Sequence, residues 1–90
     1  NEIYIADMCR YQSAWLTFLQ GDAELTKKQL SKIENETIFK ELAHIFQAEI
    51  LDFIDKDISN AIDSYLDFLE LYPQSIYYDD VRLRLRELAS

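Results

Sequence analysis

Residues that make turns or cross-links are scarce in this 90-residue chain, which has one glycine, one proline and one cysteine. A phosphate-binding loop is excluded because such loops are built from several glycines. A disulfide within the chain is excluded because Cys9 has no partner. Long apolar runs are also absent, and no segment approaches the roughly 20 residues that a membrane-spanning helix needs. We therefore expect no membrane insertion.

Positive charge is scarce as well. The chain has 9 Lys and Arg residues against 17 Asp and Glu residues, which gives a formal net charge of −8 at pH 7. Nucleic-acid binding requires clustered Lys and Arg side chains that displace counterions from the phosphates. We therefore expect no nucleic-acid partner.

The acidic side chains are concentrated in residues 41–72, where the only base is Lys56. Two interpretations are open. The acids form a solvated face that keeps the chain soluble, or they form a docking surface for a basic partner. The candidates for such a docking surface are Asp52, Asp63, Asp67 and Glu70.

Apolar residues, in contrast, are plentiful at 49% of the chain, and 13% of the chain is aromatic. A chain of this size buries only about 60% of its unfolded surface, so it needs such a dense core. The apolar residues recur at helical spacing in five segments, and no segment alternates as a strand does. The sequence therefore predicts an all-α fold of about five antiparallel helices.

Local signals place the ends of these helices. Gly21-Asp22 ends the first helix, with glycine as the left-handed cap, and Thr26–Gln29 is interpreted as a capping box for a short second helix. The third helix spans about 37–54. A fourth begins near Asp57 or Ser59 and ends before Pro73, because a proline disfavours helical angles in the residue before it. Ser75 is placed to cap the fifth helix.

The third helix is apolar almost all round, which predicts a central position covered on several sides. Its polar residues are expected to form a narrow solvent-facing strip of Lys40, Glu41, His44, Gln47, Asp52 and Asp55.

The first helix carries an aromatic stripe of Tyr4, Met8, Tyr11, Trp15 and Phe18. Aromatic side chains dominate small cores, so one interpretation is internal packing. The other is a surface that binds a partner or a second copy, because the helix has more apolar surface than one short neighbour covers. We expect residues 14–19 to be buried and residues 3–11 to be under-covered. The candidates for partner binding are Tyr4, Met8 and Tyr11.

No residue pattern indicates catalysis or a cofactor. His44 and Cys9 lack metal-binding spacing, and Cys9 is expected to be a small core residue. A calcium loop aligned on Asp55 would put Asn60 where glycine is needed and Leu66 where the bidentate glutamate belongs. We therefore expect no metal, no cofactor and no enzymatic activity.

The segment "NAIDSYLDFLELYPQSIYYDDVRLRLREL" resembles the second helix of a tetratricopeptide repeat followed by the first helix of the next repeat. Ala61, Tyr65, Phe68 and Pro73 match the small, aromatic, apolar and terminal-proline positions of that 34-residue pattern. Upstream, Ala14 and Ala48 are 34 residues apart. Within the superfamily, the ending is similar to repeats in bacterial envelope proteins of the outer-membrane assembly and Tol–Pal types.

The resemblance implies one domain over 1–90, with repeat-like units at about 3–34 and 37–73 and a capping helix at about 76–89. It also implies a scaffold that binds a protein or peptide partner, without enzymatic activity, in the bacterial periplasm or envelope. Because the sequence begins with Asn1, we expect it to be the C-terminal piece of a longer protein.

The alternative function is a helical assembly or dimerisation module without a peptide groove, which would make the chain a homo-oligomer. Groove binding predicts aromatic and polar side chains that stay exposed on the inner face of the first helices. Assembly predicts that the same side chains are buried against another chain.

Overall fold

The fold, taken from a computed structural model that describes residues 1–90, is all-α and contains no strand. The helices are α1 (Glu2–Leu19), α2 (Ala23–Ser31), α3 (Ile38–Glu49), α4 (Ile58–Leu71) and α5 (Tyr78–Ala89). A π-helical segment, Ile50–Ile54, continues α3. The prediction of an all-α fold with five helices is confirmed.

The helices are arranged as a flat array that measures 42 × 31 × 15 Å. α1 packs on α2 and α3 packs on α4, so each pair is a helical hairpin; α5 packs on α4. Contacts of α1 and α2 with α3 join the two hairpins. Because each helix packs mainly on its neighbours in the chain, one broad face of the array stays open.

Both ends of α1 are set by local hydrogen bonds. Asn1 Oδ1 accepts a hydrogen bond from the Tyr4 backbone N–H at 3.0 Å, which caps the first turn. After Leu19 the chain reverses at Gly21, whose φ of 91° lies in the left-handed region that favours glycine. The predicted end of the first helix at Gly21 is confirmed.

The start of α2 differs from the prediction of a capping box at Thr26. Asp22 is the N-cap, because its Oδ1 accepts a hydrogen bond from the Leu25 N–H at 2.9 Å. Thr26 lies inside the helix, fully buried, and its hydroxyl donates to the Asp22 carbonyl at 2.7 Å. The prediction was wrong because an acid directly after Gly21 is the earlier capping residue, and α2 therefore begins three residues before Thr26.

The N-terminus of α3 is tied to α1 through a buried carboxylate. Asp7 is 0% exposed and accepts hydrogen bonds from the Thr37 hydroxyl at 2.8 Å, from Asn35 at 3.3 Å and from Arg10 at 3.1 Å. Thr37 is the N-cap of α3 but caps no backbone N–H with its side chain, because its hydroxyl donates to Asp7.

The joint between α4 and α5 lies where the proline predicts it. Asp57 caps α4, and the helix ends at Leu71 before Tyr72 and Pro73. The prediction that Ser75 caps the fifth helix is wrong, since α5 begins only at Tyr78. The Ser75 hydroxyl instead accepts from the Tyr77 N–H at 3.0 Å and donates to Glu41 at 2.9 Å, which ties the joint to α3.

Two apolar clusters fill the interior. The first core joins α1, α2 and α3 through Ala14, Leu30, Ile33, Phe39, Ala43, Phe46 and Ile50. The second core joins α3, α4 and α5 through Ala48, Ala61, Tyr65, Phe68 and Val81. Three alanines, Ala14, Ala48 and Ala61, are 0% exposed, because small side chains let the helices approach closely.

Exposure along α1 is sorted by helix face and does not follow the predicted division into a buried end and an under-covered end. Asp7 in the first half is fully buried, whereas Trp15 and Leu19 in the second half are 41% and 73% exposed. The prediction was wrong because α3 reaches the first half of α1 as well, where the rings of Tyr4 and Phe39 lie 5.0 Å apart.

Hydropathy and length rule out a bilayer-crossing role for every helix of the chain. α1, the longest, has 18 residues but carries charged side chains along its length.

Phe68 and Pro73 provide a stability test of the α4–α5 joint. Phe68 is 0% exposed, so Phe68→Ala should lower the free energy of unfolding by about 3–5 kcal/mol, as large core truncations do. Pro73 is exposed and follows the end of α4, so Pro73→Ala should cost less than about 1 kcal/mol. Urea denaturation measures both. A Pro73→Ala variant that is less stable than Phe68→Ala would contradict this account of the joint.

Candidate functional site

An apolar groove of about 540 Å³ opens on the face of the array formed by α1, α3 and α5. Its volume lies within the range of ligand-binding clefts, roughly 300–1,000 Å³. It is lined by Tyr11, Trp15, Phe18, Leu42, Ile45, Phe46, Glu49, Ile50, Phe53, Ile54, Tyr65, Tyr77, Asp80, Val81 and Arg84.

Helical spacing explains why these side chains face the same way. In α1 the contributors are Tyr11, Trp15 and Phe18, which are four and three residues apart and therefore share one helix face. In α5 the contributors Tyr77, Asp80, Val81 and Arg84 repeat the same spacing. The groove is thus the surface where matching faces of alternate helices meet.

Aromatic rings form one end of the groove. Phe46 is 5% exposed, and the rings of Trp15, Phe18 and Tyr11 lie 4.4, 5.3 and 6.2 Å from it. Trp15 is nevertheless 41% exposed. A packed aromatic bed of this kind holds its exposed ring in a fixed position, which favours binding because little side-chain entropy is lost.

A buried ion pair forms the wall between α3 and α5. Asp52, in the π segment, is 1% exposed. Arg84 donates to both of its oxygens, from Nε at 2.7 Å and from Nη2 at 2.9 Å, and Tyr65 Oη of α4 donates at 2.8 Å. This Asp52 cluster of Asp52, Tyr65 and Arg84 joins three helical segments. Such bidentate, charge-assisted bonds are among the strongest that side chains make.

Each member of the Asp52 cluster is held in one protonation state. The hydrogen bonds from Arg84 lower the pKa of Asp52 more than burial raises it. Burial, together with the hydrogen bond to Asp52, raises the pKa of the Tyr65 hydroxyl. The hydrogen bonds to Asp52 raise the pKa of Arg84. None of the three groups exchanges a proton near neutral pH.

The predicted solvent-facing strip of the third helix is therefore wrong at Asp52. Asp52 follows the fully buried Ala48 by four residues, so it lies on the face of the rod that packs on α4 and α5. The expectation that the arginines of the fifth helix serve only as a soluble outer surface is wrong at Arg84 for the same contact.

The π segment also provides exposed apolar side chains to the groove. The backbone N–H of Asp55 bonds to the carbonyl of Ile50 at 2.9 Å. This wider turn rotates the side chains that follow relative to a regular helix, and π turns recur at functional sites. Phe53 and Ile54 line the groove and are 48% and 52% exposed. The Arg84 guanidinium lies 4.7 Å from the centre of the Phe53 ring.

Two carboxylates line the groove without an ion-pair partner, Glu49 of α3 and Asp80 of α5. Burial raises the pKa of Glu49, and the nearby charge of Asp52 adds to that rise. The pKa of Tyr11 is raised by burial, and the Glu49 charge adds to it. Glu49 therefore lies where its field acts on Tyr11 across the groove.

Of the residues predicted to bind a partner, only Tyr11 lines the groove. Tyr4 is 45% exposed and packs edge-on against Phe39, and Met8 packs against the first core. Asp63, Asp67 and Glu70 are exposed on α4 and lie outside the groove. Partner binding by these residues stays a prediction, whereas Asp52 is not accessible to a partner.

The other groove residues were missed because they were treated as core or as solvent-facing. Trp15 and Phe46 belong to aromatic stripes that equally predict internal packing. A comparison of matching helix faces 34 residues apart would have found part of the set: Tyr11 and Ile45 are separated by that interval, and Ile45 lines the groove as well.

A second apolar surface lies on the outer side of α1. Ile5, Leu16 and Leu19 are 53%, 62% and 73% exposed. Together with exposed Cys9 and Gln12 they follow helical spacing, so these five residues form one uncharged outer strip of α1. Cys9 was expected in the core and this expectation is wrong, because α2 and α3 both pack on the opposite face of α1.

Metal-ligating side chains are not grouped anywhere in the chain; no cluster of three His, Cys, Asp or Glu residues is placed to hold a metal ion. His44 Nε2 bonds to the Ser64 carbonyl at 3.0 Å, which links α3 to α4.

Comparisons of the chain with protein-family models, with curated proteins and with solved structures found no match.

The two buried carboxylates predict how stability changes in acid. Burial alone would raise the pKa of Asp7, but hydrogen bonds from Thr37, Asn35 and Arg10 outweigh it and lower that pKa. The pKa of Asp52 is lowered too. A carboxylate with a lowered folded-state pKa stabilises the fold above its unfolded pKa of about 3.9, and this stabilisation is lost as pH falls through the folded pKa.

We therefore expect the free energy of unfolding to fall steeply below about pH 4, and we expect Asp52→Asn to make that fall shallower. Urea titrations between about pH 6 and pH 2.5 measure the slope. Asp63→Asn, which neutralises an exposed carboxylate of α4, is the matched control. Equal slopes for wild type and Asp52→Asn would show that the ion pair does not stabilise the fold.

Proposed function

We propose that this chain is a non-enzymatic protein-interaction module of the tetratricopeptide type, and that it binds a peptide segment of a partner in the apolar groove. The observation that carries the proposal is the groove itself: an open surface across alternate helices with an aromatic bed and exposed apolar side chains. A curved helical array that binds partners on such a face is how repeat proteins of this type work.

Features separated by the repeat interval support the tetratricopeptide part of the proposal. Ala14 and Ala48, 34 residues apart, are both 0% exposed. Ser75 donates a hydrogen bond to Glu41, which precedes it by 34 residues. These pairs are expected where successive repeats place equivalent residues at equivalent contacts. The bacterial envelope as location rests on the sequence resemblance alone.

Binding is favoured over catalysis by the protonation states at the groove. A general acid or base needs a pKa near the working pH, yet the pKa of Asp52 is lowered and that of Tyr65 is raised. Both side chains are also fully used in joining helices. Their arrangement stabilises a surface and leaves no hydrogen-bonded acid–base pair free for a substrate.

Trp15 provides a direct test, because it is the only tryptophan of the chain and it lines the groove. Peptides selected from a randomised display library on the immobilised chain should change the emission of Trp15 when titrated. Phe53→Ser combined with Ile54→Ser should weaken the Kd more than tenfold, because exposed apolar anchors in a groove contribute about 2 kcal/mol or more each.

The matched control is Leu66→Ser combined with Leu71→Ser, which replaces two side chains of α4 that are 45% and 61% exposed outside the groove. This variant should keep the wild-type Kd. Peptides that bind without altering Trp15 emission, or that lose affinity equally in both variants, would place the binding surface elsewhere.

The second candidate function, self-assembly, is favoured by the outer strip of α1. Two copies of a chain with a net charge of −8 repel each other, and this strip is an exposed apolar surface without a charged residue. The outer side of α5 differs, because exposed Asp79, Arg82 and Arg86 surround Leu83 there. We propose that a second copy of the chain pairs with the first through α1.

Sedimentation equilibrium tests this pairing. Wild type should associate as its concentration rises into the high micromolar range, and Leu16→Ser combined with Leu19→Ser should stay monomeric. The control Leu83→Ser, which changes a residue that is 56% exposed on α5, should associate as wild type does. A wild-type chain that stays monomeric throughout would refute self-assembly and leave groove binding untouched.

A further inference from the structure

The charges around the apolar groove are unbalanced, although most of its surface is apolar. Its charged lining residues are Glu49, Asp80 and Arg84. Arg84 is the only base among them, and both of its hydrogen-bonding edges are directed at Asp52, with Nε and Nη2 at 2.7 and 2.9 Å. Its remaining contacts are with Glu87 at 3.5 Å and with the Phe53 ring at 4.7 Å.

The positive charge of Arg84 is therefore matched inside the fold. Asp52 has 1% of its surface exposed, so the pair presents little net charge to a ligand. Glu49 and Asp80 have no such partner: no Lys, Arg or His nitrogen lies within ion-pair distance of either carboxylate. The groove thus offers two free carboxylates beside apolar and aromatic side chains.

We propose that the segment bound in the groove carries lysine or arginine beside bulky apolar side chains, with its cations paired to Glu49 and Asp80. This inference rests on the proposed function and specifies its ligand. An acidic segment would place like charges together, which costs affinity, and an uncharged apolar segment would bury the two carboxylates without compensation. The aromatic rings add to the preference, because a cation over a ring face is attracted by it.

The surroundings of Glu49 strengthen the argument from charge. Burial and the charge of Asp52 raise the pKa of Glu49, so its charged form is held in an unfavourable field. A ligand cation beside Glu49 relieves that field. The same reasoning identifies Glu49, at the centre of the groove between Tyr11 and Tyr65, as the main specificity residue and Asp80 as the second.

The experiment compares the peptides that different variants select from one randomised display library. Wild type should enrich peptides that combine Lys or Arg with Leu, Phe or Trp. Glu49→Gln combined with Asp80→Asn keeps the size of both side chains, and it should enrich apolar peptides without the basic residues. The control is Asp63→Asn combined with Asp67→Asn, which makes the same change in net charge on α4 and should keep the wild-type preference.

One wild-type peptide, synthesised and titrated by Trp15 emission, then gives the magnitude. Its Kd should rise roughly tenfold in the groove-acid variant, since hydrogen bonds to a charged group contribute about 1.5–3 kcal/mol and 1.4 kcal/mol is tenfold. In the control variant the Kd should stay within about twofold. The salt dependence of Kd should decrease in the groove-acid variant and not in the control.

The outcomes separate this inference from the proposed function. Peptides that change Trp15 emission but show no preference for basic residues would overturn the inference and leave groove binding in place. A preference that disappears equally in the Asp63→Asn, Asp67→Asn control would overturn it as well, because net charge would then be the cause. A library that yields no peptide acting on Trp15 would overturn both.

Discussion

The fold and the candidate site both depend on the ion pair between Asp52 and Arg84. A carboxylate that is removed from water is costly unless other groups replace the hydration it loses. Here a guanidinium from α5 and a hydroxyl from α4 supply three hydrogen bonds to the two oxygens of Asp52. These bonds form only when the end of α3, α4 and α5 are in one relative position. The pair therefore contributes to the geometry of the array as well as to its stability, and removal of either partner would leave a buried charge.

The properties of the groove follow from this pair. Tyr65 and Arg84 line it, so the same hydrogen bonds that join the helices hold part of the binding surface in place. Arg84 packs over Phe53, which keeps an exposed aromatic ring against the wall. Because Arg84 is matched by Asp52, Glu49 and Asp80 remain as the free charges of the groove. A single buried interaction thus determines both the shape of the surface and the sign of its charge.

The sequence predicts the helices better than it predicts this site. The number of helices follows from apolar spacing, and Gly21 and Pro73 end α1 and α4 for reasons that are local to the backbone. Asp52 escaped prediction because its partner Arg84 is 32 residues away and because an acid is usually assigned to the solvent face. A signal was present, since Asp52 follows Ala48 by one helical turn and Arg84 follows Val81 by three residues, which places both on buried faces. The register of the π segment has no comparable signal, because a wide turn depends on the packing of the whole rod.

The two apolar surfaces of the molecule differ in their electrostatics, and this difference separates the partners they favour. The groove combines apolar side chains with the free carboxylates of Glu49 and Asp80, so it discriminates by charge among the segments that could enter it. The outer strip of α1 is uncharged and contains Cys9 and Gln12 between Ile5, Leu16 and Leu19. In a chain with a net charge of −8, an uncharged strip is where a second acidic copy approaches with the least repulsion. A basic peptide gains from the groove what it cannot gain from the strip, and so one acidic surface directs like copies and unlike partners to different faces of α1.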